Sequence, residues 1–323
     1  MNPLELLLTN LLSPPIFAFA AGVIAVLIRC PFRFPEPIYQ AITIYLLFAI
    51  GFKGGVSISE TGLAAVAWPL AATIFAGSII PVVVFFVAWK LVVPKVADAA
   101  SLAAHYGSVS AVTFLACYGF LTSNGVQSES FLPALMAVME IPALAVAIFL
   151  GKHFQRDREA PIWKALHEVV TGNSIFLLIC GLVIGAVAGA EGMKRAAPFF
   201  VDPFYGVLIL FLLEMGIVAG ARLQDLSGVG WGLIAMGMIL PLVQGCFGLL
   251  LAGWLGLSVG GATLFAVLTA SASYIAAPAA VRIALPDANL GYSITASLGI
   301  TFPFNLAVGI PLYFGLARAF IGS

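Results

Sequence analysis

The sequence predicts an all-α membrane protein of about ten transmembrane helices, arranged as two inverted five-helix repeats in which helices four and nine are interrupted. Three observations predict it. Of 323 residues, 62% are hydrophobic and 9% are charged, against roughly 25% charged in a typical soluble domain. Apolar stretches of about 20 residues, enough to cross a hydrocarbon core of roughly 30 Å as helix, recur from one end to the other. Motifs of the first half return in the second at a nearly constant offset.

The first span lies near 15–30 and begins at Pro15; the preceding segment carries Glu5 and no basic run, which points to a short interfacial helix and not a cleaved signal peptide. The second, near 36–51, is opened by Glu36-Pro37-Ile38-Tyr39 and ended by Lys53, read as a cation snorkelling to the membrane surface. The third covers 65–90 and the fourth 98–121, with a small, hydroxyl-rich stretch from Gly107 to Thr113 at its middle. The fifth, 131–151, holds Glu140, and a polar connection, 152–167, follows. The sixth covers 168–190. The seventh, 203–221, opens on Asp202-Pro203-Phe204-Tyr205 and contains Glu214. The eighth covers 230–255, the ninth 261–284 with Ser271 and Ser273 at mid-span, and the tenth 290–318 with Thr301 and Asn305 flanking Pro303. The first repeat is thus 1–151 and the second 168–323.

The charges favour this count. On the side opposite the termini fall Arg29, Arg33, Lys90, Lys95, Lys152, Arg156, Arg158, Lys164, Arg222 and Arg282; on the terminal side fall Lys53, Lys194, Arg195 and Arg318. The positive-inside rule then places the central loop in the cytoplasm and both termini outside the cell (inner) membrane. A net charge of zero with no basic run excludes a nucleic-acid partner. Cys30, Cys117, Cys180 and Cys246 have no metal or redox spacing.

The repeat is visible in residues as well as hydropathy. Glu36-Pro37-Ile38-Tyr39 matches Asp202-Pro203-Phe204-Tyr205, Leu46-Leu47 matches Leu212-Leu213, Ser108-Val109-Ser110 matches Ser271-Ala272-Ser273, and Leu144 to Ile148 matches Leu306 to Ile310, all at offsets of 162 to 166. Five spans per half is an odd number, so the halves enter the membrane in opposite senses, the plan of secondary transporters.

In such a plan the substrate sits near the midplane, where half-helix ends present free N–H and C=O groups to ions. Gly107, Ser108, Ser110 and Ala111 in the fourth span, with Ser271 and Ser273 in the ninth, are the candidate anion-binding residues; small residues in membrane helices also serve close helix packing. Glu140 carries an intramembrane carboxylate, which costs roughly 2.5 to 3.5 kcal/mol at a helix centre and so needs an ion, a proton or a partner. Thr113, Glu140, Ser271, Ser273 and Asn305 are the candidate sodium ligands. Glu214, Thr301, Tyr274 and His105 are further candidates, with an interhelical hydrogen bond the alternative for Glu214 and helix packing the alternative for His105.

These motifs resemble the cyanobacterial sodium-dependent bicarbonate transporters of the SbtA type. The resemblance runs through Ile50-Gly51-Phe52-Lys53-Gly54-Gly55, Asp98-Ala99, the Gly107 to Thr113 stretch, Met139-Glu140-Ile141-Pro142, Ala270 to Ser273, Pro286-Asp287-Ala288-Asn289 and Gly309-Ile310-Pro311-Leu312. It implies a homo-trimer importing bicarbonate with Na⁺, with helices 1, 2, 6 and 7 as a gate part and helices 3–5 and 8–10 as a mobile core. It also implies that Ser108, Ser110 and Thr113 with Ser271 and Ser273 line the anion and sodium sites. The family pattern has Asp where Tyr274 and Glu140 stand, which bears on a sodium ligand or on the choice of substrate. The central connection lacks the long hydrophilic insertion of the cyanobacterial proteins, which puts regulation by their trimeric PII-like partner in doubt.

The expected function is sodium-dependent uptake of bicarbonate by alternating access across the lipid bilayer, with Na⁺ as coupling ion and no cofactor. One Na⁺ with one bicarbonate moves no net charge, and Tyr274 in place of an acid favours this electroneutral case. Another small anion, such as a small carboxylate, is the alternative cargo. A membrane enzyme or sensor is the remaining class, and no HExxH or GxSxG motif supports an enzyme.

Overall fold

In a computed structural model, residues 8, 10–62, 66–155, 162–223, 225 and 230–322 are described, and among them the regular structure is entirely helical. The helices are α1 (Pro14–Leu27), α2 (Glu36–Thr61), α3 (Ala67–Leu91), α4 (Val96–Gly107), α5 (Ala111–Ser123), α6 (Leu132–Gln155), α7 (Ile162–Val170), α8 (Asn173–Phe200), α9 (Phe204–Leu223), α10 (Trp231–Trp254), α11 (Val259–Ala270) and α12 (Ala276–Ala284). The last, α13, is continuous over Leu290–Phe320 with π-helical turns at Thr295–Thr301 and Asn305–Gly309. Taking α4 and α5 together, eight helices among the described residues are long and apolar enough to cross a membrane; α1 and α11 are shorter apolar helices. The protein is a multi-pass membrane protein.

Prolines shape these helices in a way that explains several polar residues. Pro241 inside α10 has no N–H to give the Gly237 carbonyl one turn back. The Thr301 hydroxyl of α13 donates to that carbonyl at 2.7 Å, so a freed backbone acceptor in an apolar setting is satisfied from a neighbouring helix. In the π-helical turn Ile310 N–H bonds Asn305 O five residues back, so Pro311 likewise frees the Leu306 carbonyl; Asn10 Nδ2 donates to Leu306 O at 3.0 Å and to Ala307 O at 3.4 Å. Asn10 thereby anchors the N-terminal segment to α13; the interfacial helix expected over the first residues falls mostly outside the described ones.

Two pairs of helices pack backbone to backbone. In α1 and α9, a Cβ placed on Gly22 would lie 2.9 Å from the Gly216 Cα, and one on Gly216 would lie 3.1 Å from the Gly22 Cα. In α2 and α8, a Cβ on Gly51 would meet Leu178 O at 2.6 Å and one on Gly181 would meet Phe48 O at 2.7 Å. Small residues at a crossing let apolar helices gain dispersion contacts where the hydrophobic effect gives no drive.

The broken helix α4–α5 is the innermost, 94% of an 18-residue stretch of it being buried, whereas the corresponding figure for α8 is 22%. Exposed large apolar side chains crowd the outer faces of α3 (Trp68, Phe75, Val83) and α10 (Ile239, Val243, Leu250), as a lipid contact requires.

Three sequence expectations are corrected. The second span continues past Lys53 to Thr61; the sixth, expected to end at 190, is broken at Gly189 (φ 59°, ψ −165°), beyond which helix resumes to Phe200. The expected central loop contains the nine-residue helix α7, while the charged stretch with Arg156 and Arg158 lies outside the described residues. Lys53 does not snorkel to a membrane surface: its ammonium donates to the Tyr118 hydroxyl and stands 5.1 Å from the centre of that ring.

Candidate functional site

Two helix breaks meet inside the protein. The first separates α4 from α5, the second α11 from α12. Ser108 and Ser271, each closing the first half-helix, have nearly the same extended backbone, φ −86° and ψ 172° against φ −86° and ψ 164°. Ser110 and Ser273, two residues on, each cap the half-helix that follows: Ser110 Oγ accepts from Thr113 N–H at 3.2 Å, and Ser273 Oγ from Ala277 N–H at 3.2 Å. Serine suits both places, because its hydroxyl replaces the helical acceptor missing at an N-terminus.

The breaks are bonded to each other. Ser110 N–H donates to Ser271 Oγ at 2.9 Å, and Ser273 N–H donates to the His105 carbonyl at 2.7 Å. Ser271 Oγ passes its own proton to Leu268 O at 3.0 Å. Such cross-links fix the two extended stretches beside one another at a depth where no water is at hand to satisfy them.

Beside this crossing is a small cavity of about 30 Å³, lined by two unlike walls. One is apolar and comes from α2 and α8: Leu47, Ile175 and Leu178. The other is polar in part, with Ser110, Ser273, Tyr274 and Glu140 set among Val109, Ala111 and Met136. Glu140 is 7% exposed, and its Oε1 accepts from Ser108 Oγ at 3.3 Å. The Tyr274 hydroxyl is buried without a well-aligned hydrogen bond and interacts with Ser110. No Lys or Arg is among the residues lining the cavity. Hydroxyls that donate or accept, together with one carboxylate, can serve an oxyanion and a hard monovalent cation side by side.

The remaining candidates separate clearly. Gly107 packs, since a Cβ there would meet Pro81 Cβ at 2.8 Å. Thr301 bonds Tyr106 Oη and Gly237 O, both at 2.7 Å, and Asn305 Nδ2 donates to Ala270 O at 2.8 Å, holding the last carbonyl of α11. Neither lines the cavity. His105 is fully buried, Nδ1 bonding Ser101 O at 2.7 Å, with Nε2 unpartnered. Glu214 does not line the cavity; it accepts from Phe34 N–H at 3.3 Å, a bond to the connection between α1 and α2 and not to a neighbouring helix.

Sequence reasoning missed the apolar wall of Leu47, Ile175 and Leu178, for which no local signal exists: one buried leucine in a span reads like any other. It also missed Tyr118 beside Lys53. A basic residue in mid-helix was the available clue, once the second span was known to continue beyond it.

A helical multi-pass protein with a polar cavity at a pair of interrupted, mutually bonded helices is by class a membrane transport protein. Residues 14–318 match the Na⁺-dependent bicarbonate transporter superfamily, and the chain belongs to it. That superfamily is one of transporters, so the chain is not an enzyme. Comparison with curated proteins gives no match.

Proposed function

We propose that the protein imports bicarbonate with Na⁺ by alternating access, and that the cavity at the crossed breaks is where both bind. The observation that carries this is the placement of Glu140, Ser110, Ser273 and Tyr274 on one wall of a cavity whose other wall is apolar and belongs to different helices. A cavity of about 30 Å³ has room for one or two water-sized groups. A planar anion with three oxygens needs more, so binding requires the two walls to separate. The superfamily to which the chain belongs supplies the cargo for this reading.

In this reading the molecule is two inverted five-helix repeats, and several contacts favour it. The Gly22–Gly216 approach of α1 and α9 corresponds by repeat to the Gly181–Gly51 approach of α8 and α2. Ser108 corresponds to Ser271 in backbone, and Ser110 to Ser273 in that each hydroxyl accepts from a first-turn N–H of the half-helix that follows. Helices α1, α2, α8 and α9 act as the gate, the rest as the mobile core, with the termini outside. Glu140 and the Ser273 hydroxyl, which line the cavity, are the sodium ligands, and Thr113 and Ser271, which stand outside its lining, join them when the walls separate; the Asn305 amide, already committed to Ala270 O, acts by positioning. With one carboxylate at the cavity, one Na⁺ per bicarbonate is the expected ratio, and transport moves no net charge.

Uptake of labelled bicarbonate into proteoliposomes tests the proposal, with and without a sodium gradient, beside formate, acetate and nitrate. Sodium-dependent uptake of bicarbonate above the other anions is expected, unaltered by an imposed membrane potential. Equal uptake without sodium would remove the coupling, and preference for a carboxylate would change the cargo. No basic side chain lines the cavity to clamp a carboxylate, which favours bicarbonate.

A further inference from the structure

A second cavity, of about 420 Å³, lies in series with the first. Along α2 the lining passes from Leu47 in the inner cavity to Ile50, Lys53 and Gly54 in the outer one. Along α5 it passes from Ala111 to Phe114, Tyr118 and Thr122, and along α6 from Glu140 and Met136 back to Pro133 and Leu132. Each step is one or two helical turns toward the connection between α5 and α6. Ile50 and Phe114, 2% and 0% exposed, stand between the two spaces.

Lys53 is the one basic side chain lining this outer cavity, and its charge has no carboxylate partner among the described residues. The acid nearby is engaged elsewhere. Glu129 accepts from Ser258 N–H at 2.7 Å and from Ser258 Oγ at 3.0 Å, at the N-terminus of α11, whose dipole further compensates it. Lys53 gives one proton to the Tyr118 oxygen. An ammonium has three donors, so two remain; and because the phenol oxygen accepts from Lys53, its own O–H is free to donate. The Tyr118 carbonyl is already taken by Thr122 Oγ at 2.9 Å. A half-buried cation with a phenol donor beside it, in a cavity whose lining also offers Thr122, Gln127, Ser128 and Ser130, is complementary to a small anion.

We propose that Lys53 and Tyr118 form an outer anion station, which takes a small monovalent oxyanion from the medium and holds it one barrier away from the site at the crossed breaks. The inference rests on the transport reading above for the direction of traffic. The station raises the local concentration of substrate at the seal formed by Ile50 and Phe114 and screens Lys53 while Na⁺ passes.

The test uses the full chain in proteoliposomes at saturating sodium, comparing wild type with Lys53→Met, Lys53→Arg and Tyr118→Phe. Loss of a charge-assisted contact is expected to raise the KM for external bicarbonate about ten-fold in Lys53→Met, with maximal rate and sodium dependence near wild type. Lys53→Arg keeps the charge and is expected to stay within about three-fold, and Tyr118→Phe to rise about three-fold. A wild-type KM in Lys53→Met overturns the proposal, as does a loss of uptake in a stably folded Lys53→Met that no bicarbonate concentration restores. Should Lys53→Met not fold, Tyr118→Phe decides, and an unchanged KM there overturns it. Thermal melting of purified protein against bicarbonate or nitrate gives a readout apart from transport: Lys53→Met is expected to need about ten-fold more anion for the same rise, and an identical titration overturns the station. If wild type shows no sodium-dependent uptake, the transport reading falls while the melting comparison still decides on Lys53.

Discussion

Thr301 and Asn305 illustrate how a polar side chain deep in a membrane helix can answer to a backbone and not to a ligand. Thr301 satisfies a carbonyl freed by a proline on another helix, and Asn305 holds the last carbonyl of a half-helix. Asn305→Leu should therefore leave a buried acceptor unpaired at about 1–3 kcal/mol, lowering the melting temperature of purified protein as well as the transport rate. Glu140→Gln differs: its side-chain oxygen still accepts from Ser108, so folding is expected to persist while the sodium concentration for half-maximal uptake rises about ten-fold or more. Ser110→Ala removes both an N-cap worth about 1 kcal/mol and a hydroxyl of the cavity wall, so uptake should fall further than stability does. The sequence pointed to all four residue types by their polarity at mid-span. It could not separate those facing the cavity from those bonded to carbonyls, because that depends on where a proline of a distant helix, such as Pro241, breaks the ladder.

At the scale of elements, glycine decides how close the outer helices come. Gly51→Ala places a methyl group 2.6 Å from the Leu178 carbonyl, so α2 and α8 must part along their crossing; a loss of about 1–3 kcal/mol is expected in thermal melting. Gly315→Ala is the contrasting substitution. Nothing lies within 4 Å of a Cβ there, and removing glycine from the body of α13 should be neutral or stabilise by up to about 1 kcal/mol. Apolar window length located the long helices, though not α7, and the small hydroxyl-rich stretches located both breaks. The length of α2 was misjudged because Lys53 was taken as its end, whereas the end expected for the sixth span falls at the Gly189 break in α8. A lysine whose ammonium finds a phenol within the protein does not have to stop a span.

For the whole molecule, the two-walled cavity implies relative motion of its walls. Cysteines at Leu178 and Ile275, one on each wall, joined by a short bifunctional thiol reagent, should stop uptake, while each single variant treated alike keeps it. If the joined pair transported normally, the walls would not be moving apart. The matched motifs are the basis for proposing an inverted plan, and on that reading the halves are not equal in chemistry. The acids at the key junctions all come from the first half: Asp98 accepts from Asn289 N–H at 2.7 Å, Glu129 holds Ser258 at the start of α11, and Glu140 faces the cavity. The second half answers Asp98 and Glu129 with backbone N–H groups and a hydroxyl, while Glu140 takes its hydrogen bond from Ser108 of its own half. If the two halves are repeats, they have thus divided their labour. A tandem of two second halves would carry none of these three carboxylates, so the latches at Asn289 and Ser258 and the acid of the cavity would all be missing from it.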